Sequence, residues 1–284
     1  MEVTASRGGR RILVGFFLAL VVFLYAPLAI LTTFSFNDNR FVVFPFRGFT
    51  LRWYEAFLQN ADLIEALKTS AIVAAVSSVL AVALGVLASY VVVRRRFRGK
   101  GAVAGLLLAP LVIPYLVFGI SLLVLFRAVD DFLTDSLGVY FGLGIHSIVI
   151  GHVVVSLPYA ILTIVPRLER ISVSLEEAAR DLGAGAAQTF RRVTLPLLAP
   201  AVVSAYLIAF TLSFDEYAIA SFVAGREATY PIFLYSSLRT RAALPQMIAV
   251  SVIVLFLSLV LVIATEVGRW RYERRLQVEV GSGA

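Results

Sequence analysis

The stretch "EEAARDLGAGAAQTFRRVTLPLLAP", Glu176 to Pro200, is the one long polar interruption in the second half of a chain that is otherwise nearly all apolar. Of the 284 residues, 60% are hydrophobic and only 15% charged, and the mean hydropathy is +0.91. Soluble domains carry about a quarter charged residues. The fold class is therefore decided by the apolar blocks around this interruption, and the function by why the interruption is there.

Six apolar blocks, at 12–33, 69–93, 102–126, 145–166, 198–224 and 246–267, are long enough to cross a bilayer as helix, which takes about 20 residues. Backbone groups in lipid must be satisfied internally, and the strands of a membrane barrel would show as alternating segments of about 10 residues. The expectation is an all-α integral membrane protein with six transmembrane helices. The first block has the basic flank of a signal peptide, but its apolar run is too long and no A-x-A site follows, so it reads as a retained helix.

Of the 25 basic residues, 17 fall at the N-terminus, in 94–101, in 167–197 and at the C-terminus, against 8 in the alternate loops. The positive-inside rule puts both termini and the Glu176 stretch in the cytoplasm. The expected organisation is a cytoplasmic tail at 1–11, a six-span domain at 12–267 with a cytoplasmic loop at 167–197, and a second tail at 268–284. The net charge of +7 and the run "RRRFRGKG" at Arg94 to Gly101 follow from topology, with anionic lipid headgroups as neighbours rather than nucleic acid. The absence of cysteine excludes thiol catalysis and disulfides. The segment from Phe34 to Lys68, with its aromatic run "FVVFPFRGFTLRWYEAF", reads as an ordered element at the outer interface. Pro27, Pro110, Pro114, Pro158 and Pro166 lie in or beside spans and permit kinks.

Within the polar interruption, Ser174 and Glu177 have the S-x-x-E spacing of a capping box, so a short helix is expected to start there. Leu175, Ala178, Ala179 and Leu182 recur at i, i+3, i+4 and i+7 and form one apolar stripe, while Glu176, Arg180 and Asp181 face elsewhere. Gly183 stands where a left-handed helix end requires glycine. A second short piece, Ala186 to Val193, is expected to end before Pro196. Periodicity alone allows either a docking element or a plain helical hairpin between two spans.

The spacing of Glu177, Ala178, Ala179, Gly183, Val193, Leu195 and Pro196 resembles the loop motif of permease subunits of ATP-binding-cassette importers: E-A-A, three residues, G, nine residues, I-x-L-P. Val193 replaces the isoleucine, a loss of one methylene. The segments "SFNDNRF", "GFTLRWYEAF", "RRRFRGK", "GISLLVLF", "LPYAILTIVPRLE" and "FTLSFDEYAIASFVAG" extend the likeness to the second permease of spermidine/putrescine-type importers. The resemblance implies the type I importer permease (MetI-like) fold in the inner membrane of a prokaryote. It also implies a coupling helix seated in an ATPase subunit, and pairing with a homologous permease, two ATPase subunits and an external solute-binding protein. The "GAG" at Gly183 to Gly185 lacks a following G-K-[ST], so no phosphate-binding loop is read here; the resemblance implies that ATP and Mg are held by the partner ATPase and that the chain is a transport subunit rather than an enzyme.

Two adjacent acidic residues, Asp215 and Glu216, lie well inside a block, whereas Glu266 sits at a cytoplasmic edge. An ionised Asp at a helix centre costs roughly 2.5 to 3.5 kcal/mol on insertion scales, so such groups face a bundle interior or an aqueous path. Adjacent helical positions point about 100° apart, leaving one for the path and one for a neighbouring helix, or both for structural pairing. Phe214 and Tyr217 flank them and suit the methylenes and ammonium groups of a polyamine. His146 and His152 read as packing or hydrogen-bonding residues, because their own block holds no carboxylate pair. An ion-gradient-driven carrier of a small cation is the alternative class, since it too has buried carboxylates and broken helices.

The topology is testable in this cysteine-free chain. Single cysteines at Ser136 and Ser174 are expected to label from opposite sides, Ser136→Cys with an impermeant thiol reagent added outside intact cells and Ser174→Cys only after permeabilisation. Outside labelling of Ser174→Cys would overturn the orientation.

Overall fold

The computed structural model describes residues 7–39, 43, 45–239 and 243–281, and the side chains of the last helix without interruption only as far as Val260. Parts of both expected tails (1–6 and 282–284), of the expected interfacial segment (40–42 and 44), and the side chain of Glu266 lie outside it. The described residues are almost all helical: α1 (Arg7–Ser35), α2 (Arg52–Leu58), α3 (Ala61–Arg94), α4 (Lys100–Leu108), α5 (Tyr115–Leu137), α6 (Ile145–Arg170), α7 (Val173–Asp181), α8 (Ala186–Thr189), α9 (Leu195–Phe214), α10 (Ala220–Val223), α11 (Tyr230–Ser237) and α12 (Leu244–Gly281).

Length and apolarity let α1, α3, α6 and the run Ala186–Phe214 cross a bilayer, with α4 and α5 as a fifth crossing if their bent pair is one span. The expected sixth block falls on α12, whose tested apolar part, Leu244–Val260, is shorter than a full span. The count of six is therefore not reached by length and composition among the described residues.

The expected span at 102–126 is not one helix. It breaks after α4 into a 3-10 turn at Ala109–Leu111, and α5 leaves at 104°. Two prolines lie at the break: Pro110 sits in the first turn of the 3-10 segment, where its missing N–H is tolerated, and Pro114 disfavours helical geometry at the residue before it. Pro114 becomes the N-cap of α5 with ψ 128°. α5 then runs on to Leu137, well past the expected end.

The chain forms two compact units. One lies within Met1–Ala61 and Tyr235–Leu257. In it α1 is apolar and exposed along nearly its whole length, as a helix bathed in lipid should be. Beyond α1, Asn37 pairs with Phe49 in an isolated bridge, its Oδ1 accepts from the Arg47 N–H at 3.0 Å, and the Trp53 indole donates to its carbonyl at 2.9 Å. Ser35 and Tyr54 share a 2.7 Å hydroxyl contact. These contacts tie the described residues of the aromatic segment to one another, although Asn37 Nδ2 is buried without a partner.

The second unit lies within Asp62–Leu234 and Ser258–Ala284, and its core is where α3, α6 and α9 meet. α9 buries Ala201, Ala205, Ala209 and Ser213, one small residue per turn, and α6 packs along it. A Cβ placed on Gly85 of α3 would lie 2.8 Å from the Ala160 Cβ of α6, so those two backbones are as close as a glycine permits. Small residues at such contacts are how membrane helices gain packing energy without a hydrophobic drive between them. One cluster, with Val82, Val86, Ile164, Leu168 and Leu198, fills the half of this core nearer the 167–197 loop. Another, with Val73, Leu122, Phe126, Ile148 and Ile219, fills the far half.

Candidate functional site

Two places carry the chemistry: the loop between α6 and α9, and the end of α9. In the loop, the N-cap of α7 is Ser172, whose side chain accepts from the Ser174 N–H. The expected capping box of Ser174 and Glu177 does not form. With the cap two residues earlier, the third helical position is Leu175, and Glu177 is too far along the helix to reach back. The C-terminal end follows the expectation: Gly183 has φ +88°, its N–H donates to Arg180 O at 2.8 Å, and Ala184 N–H donates to Ala179 O at 3.0 Å. This is a Schellman cap closed by a left-handed glycine.

The second piece does not end before Pro196. α8 passes through a π-helical turn, Phe190–Thr194, directly into α9. Pro196 removes a helical N–H and its ring crowds the carbonyl four residues back. Widening the turn to i→i+5 pairing absorbs both defects, so the break expected from sequence becomes a bulge.

On α7 the stripe faces outward. Leu182 is 90% exposed and Leu175 49%; Glu177 and Ala178 are exposed and Ala179 half-buried. Beside it a groove of about 290 Å³ is lined by Ala179, Leu182, Gly183, Thr189, Arg192 and Val193, among others. Val193 and Leu195 are half-buried and Pro196 exposed. Glu176 is the surprise: read from its spacing as merely off the stripe, it is the one buried residue of α7. It is held by Arg94 of α3 at 3.0 Å and by Thr194 at 3.1 Å.

At the other place α9 stops at Phe214, and five residues separate it from α10. The adjacent carboxylates part company here. Glu216 is 6% exposed; both its oxygens accept from Ile219 N–H at 2.9 and 3.0 Å, and one also accepts from Ala220 N–H at 3.0 Å. His152 Nε2 lies 3.3 Å from the same carboxylate, without the alignment of a hydrogen bond. Its Nδ1 shares a 2.7 Å contact with Ser213 Oγ, which contacts Ser77 Oγ at 2.8 Å. Ile219 is wedged between two glycines: a Cβ on Gly151 would lie 2.8 Å from its Cγ2, and one on Gly119 3.1 Å from its Cα. Asp215, by contrast, is exposed, and Phe214 and Tyr217 beside it are half-buried. Phe214 stacks on Phe210 with 6.1 Å between ring centroids.

Glu216 is thus spoken for by the break itself, and Asp215 is the carboxylate presented outward. Sequence reasoning missed the His152 link because it looked for a carboxylate within the same span, and the partner comes from another. His146 packs edge-on against Phe141 at 4.6 Å.

A lipid-exposed helical bundle with a broken inner helix and an apolar element on a basic loop has the architecture of a transport permease. Residues 81–267 match the family of binding-protein-dependent transport system inner membrane components. The chain is 37% identical over 259 residues to the spermidine/putrescine transport system permease protein PotC of Escherichia coli (strain K12), covering 91% of this chain and 94% of that one. It is 40% identical over 219 residues to the putrescine transport system permease protein PotI of the same strain, covering 76% of each. Among solved structures, a bacterial ABC transporter involved in the import of the acidic polysaccharide alginate has a chain that superimposes with a TM-score of 0.71 at 17% identity, covering 92% of this chain and 94% of that one. The protein belongs to the family of binding-protein-dependent transport system inner membrane components, the permease subunits of ABC importers, and is a multi-pass membrane protein.

Glu216→Gln places an amide NH₂ against peptide N–H groups and removes the charge facing His152. The expected loss is about 1 to 3 kcal/mol, the usual penalty for buried polar groups left unpaired, read as a lower thermal midpoint of the detergent-purified protein. A midpoint equal to wild type would show that the break does not depend on this carboxylate.

Proposed function

We propose that this chain carries linear polyamines across the membrane, with Asp215 as the path carboxylate and α7 as the element that docks on a partner ATPase. The observation that carries the reading is the sorting of the two adjacent carboxylates: Glu216 is consumed by the helix break, while Asp215 remains exposed just past the end of the apolar run Ala186–Phe214, beside half-buried Phe214 and Tyr217. The identity to spermidine/putrescine permeases over most of the chain supports the same cargo. To an exposed carboxylate an ammonium group offers both charge and hydrogen bonds of roughly 1.5 to 3 kcal/mol. Phe214 and Tyr217 suit the methylene chain.

The exposed ridge of Leu175, Ala178, Ala179 and Leu182 supports the docking role, because large apolar side chains on a polar loop are stable in water only at a cost and mark an interaction surface. In this reading both termini are cytoplasmic, a homologous permease pairs with the chain, two ATPase subunits bring ATP and Mg, and an external binding protein delivers the solute. A gradient-driven carrier has no use for such a ridge.

Two outcomes follow. Asp215→Asn is expected to reduce polyamine uptake about tenfold, equivalent to about 1.4 kcal/mol, at normal membrane level; uptake of a polyamine unchanged by the substitution would remove Asp215 from the path. Gly183→Val meets no atom within 4 Å but forces a β-branched residue to φ +88°, at a cost of about 1 to 2 kcal/mol. It is expected to impair ATPase co-purification or binding-protein-stimulated hydrolysis, and Gly183→Asn to retain more of both, since Asn tolerates that conformation. Equal behaviour of Gly183→Val and wild type in reconstituted complexes would exclude the loop from coupling.

A further inference from the structure

We propose that Glu176 and Arg94 form the strut that joins the docking element to the membrane helices, making Arg94 a positioning residue for coupling rather than another headgroup-facing arginine of the basic loop. This rests on the reading of α7 as the ATPase-docking element.

The geometry is specific. Arg94 is the last residue of α3. Its Nε donates to Glu176 Oε1 at 3.0 Å and its Nη2 to Ile171 O, in the turn between α6 and α7, at 2.8 Å. Thr194, at the foot of α9, donates to the same Oε1 at 3.1 Å. The two side chains are 9% and 2% exposed, whereas Arg95, Arg96 and Arg98 are exposed. Arg180 approaches the other carboxylate oxygen from the rim at 3.8 Å. A single buried carboxylate therefore ties α7 to the end of α3 and the start of α9, and Arg94 ties both to the end of α6.

Two points turn this from a local contact into a mechanical one. α7 fully buries no apolar residue against its own chain, since Glu176 is its one buried residue and its stripe is exposed apart from half-buried Ala179. A partner pressing on that stripe moves a helix whose chief buried attachment is the strut, and the displacement reaches three membrane helices through one group. Stability alone does not explain such a pair, because well-packed apolar replacements are often at least as stable as a buried ion pair; fixed position is what it supplies. Arg is the residue the geometry requires, because a guanidinium fork serves the carboxylate and the Ile171 carbonyl together while an ammonium is a single point charge.

The experiment uses the complete importer in proteoliposomes, with Arg94→Met, Arg94→Lys, Glu176→Gln and the double variant Arg94→Met/Glu176→Gln. Each is measured for ATPase co-purification, for the ratio of binding-protein-stimulated to basal ATP hydrolysis, and for solute taken up per ATP. In each single variant, including Arg94→Lys, the stimulation ratio and uptake per ATP are expected to fall by about fivefold or more. The double variant is expected to be no worse than the poorer single, because both substitutions cut one link. Stimulation and uptake per ATP within about twofold of wild type in Arg94→Met and Glu176→Gln, or losses that simply add, would overturn the strut. If a single variant fails to insert, the double variant, with no unpaired buried charge, decides: inserted and coupled like wild type, it refutes the proposal. Leu182→Asp tests the docking reading separately. Normal co-purification of the ATPase with Leu182→Asp refutes docking itself, whereas its loss, alongside intact coupling in the Arg94 and Glu176 variants, refutes the strut alone.

Discussion

A bilayer offers no water to a backbone N–H, and every spanning element of this chain answers to that constraint. Continuous helix answers it by default. The informative places are the two breaks, between α4 and α5 and after α9, where helix gives up its donors. Between α4 and α5 the loss is reduced by omission: Pro110 and Pro114 carry no N–H, the Val112 N–H donates to Ala109 O at 3.1 Å, and the Phe118 N–H donates to Pro114 O at 3.0 Å. Between α9 and α10 an acceptor is imported, with Glu216 accepting from Ile219 and Ala220. The first device fixes a bend; the second places a carboxylate in the core, with His152 Nε2 3.3 Å away.

That placement propagates. A carboxylate near apolar packing is tolerable when its lone pairs are filled, and the Ile219 and Ala220 N–H groups fill them; His152 of α6 beside it is tied in turn to Ser213 and, through Ser213, to Ser77 of α3. The small residues around it serve the same end: Gly119 and Gly151 let Ile219 sit against two helices at once, so the N–H groups that Glu216 needs are held in place by packing. Only with the break fixed in this way does Asp215, one residue earlier, have a defined outward direction.

The apolar blocks make the membrane class legible, and four of the six lie inside single helices, although α3 begins well before its block and α12 runs well past its own. Where the expectation failed, the proline chemistry decided. Pro110 and Pro114 were seen as permitting a kink, but hydropathy does not notice a 104° turn and counts straight across it. Pro196 erred in the other direction, since a proline can be absorbed when the helix widens by one residue, and nothing in local spacing announces a π turn. The cap of α7 illustrates a third limit: Ser172 and Ser174 are both plausible caps, and the choice between them is made by where α6 ends. The ridge of α7 and the left-handed Gly183 were readable because they depend on residues within one turn. Glu176 and Glu216 were not, because their partners, Arg94 and His152, lie 82 and 64 positions away in the sequence.

The three carboxylates now separate by environment rather than by residue type. Glu216 is surrounded by N–H donors that cannot move, so it is fixed. Glu176 is met by side chains on three different segments, so its position reports on all of them. Asp215 is exposed. One acidic side chain type thus builds a helix end, joins a loop to a bundle and, in the function proposed above, offers a binding charge. The difference lies in how many of its lone pairs the fold has already taken. A carboxylate whose oxygens are filled by its own chain has little left for a solute, which is why adjacency in sequence gave Asp215 and Glu216 the same expectation and the fold gives them different work.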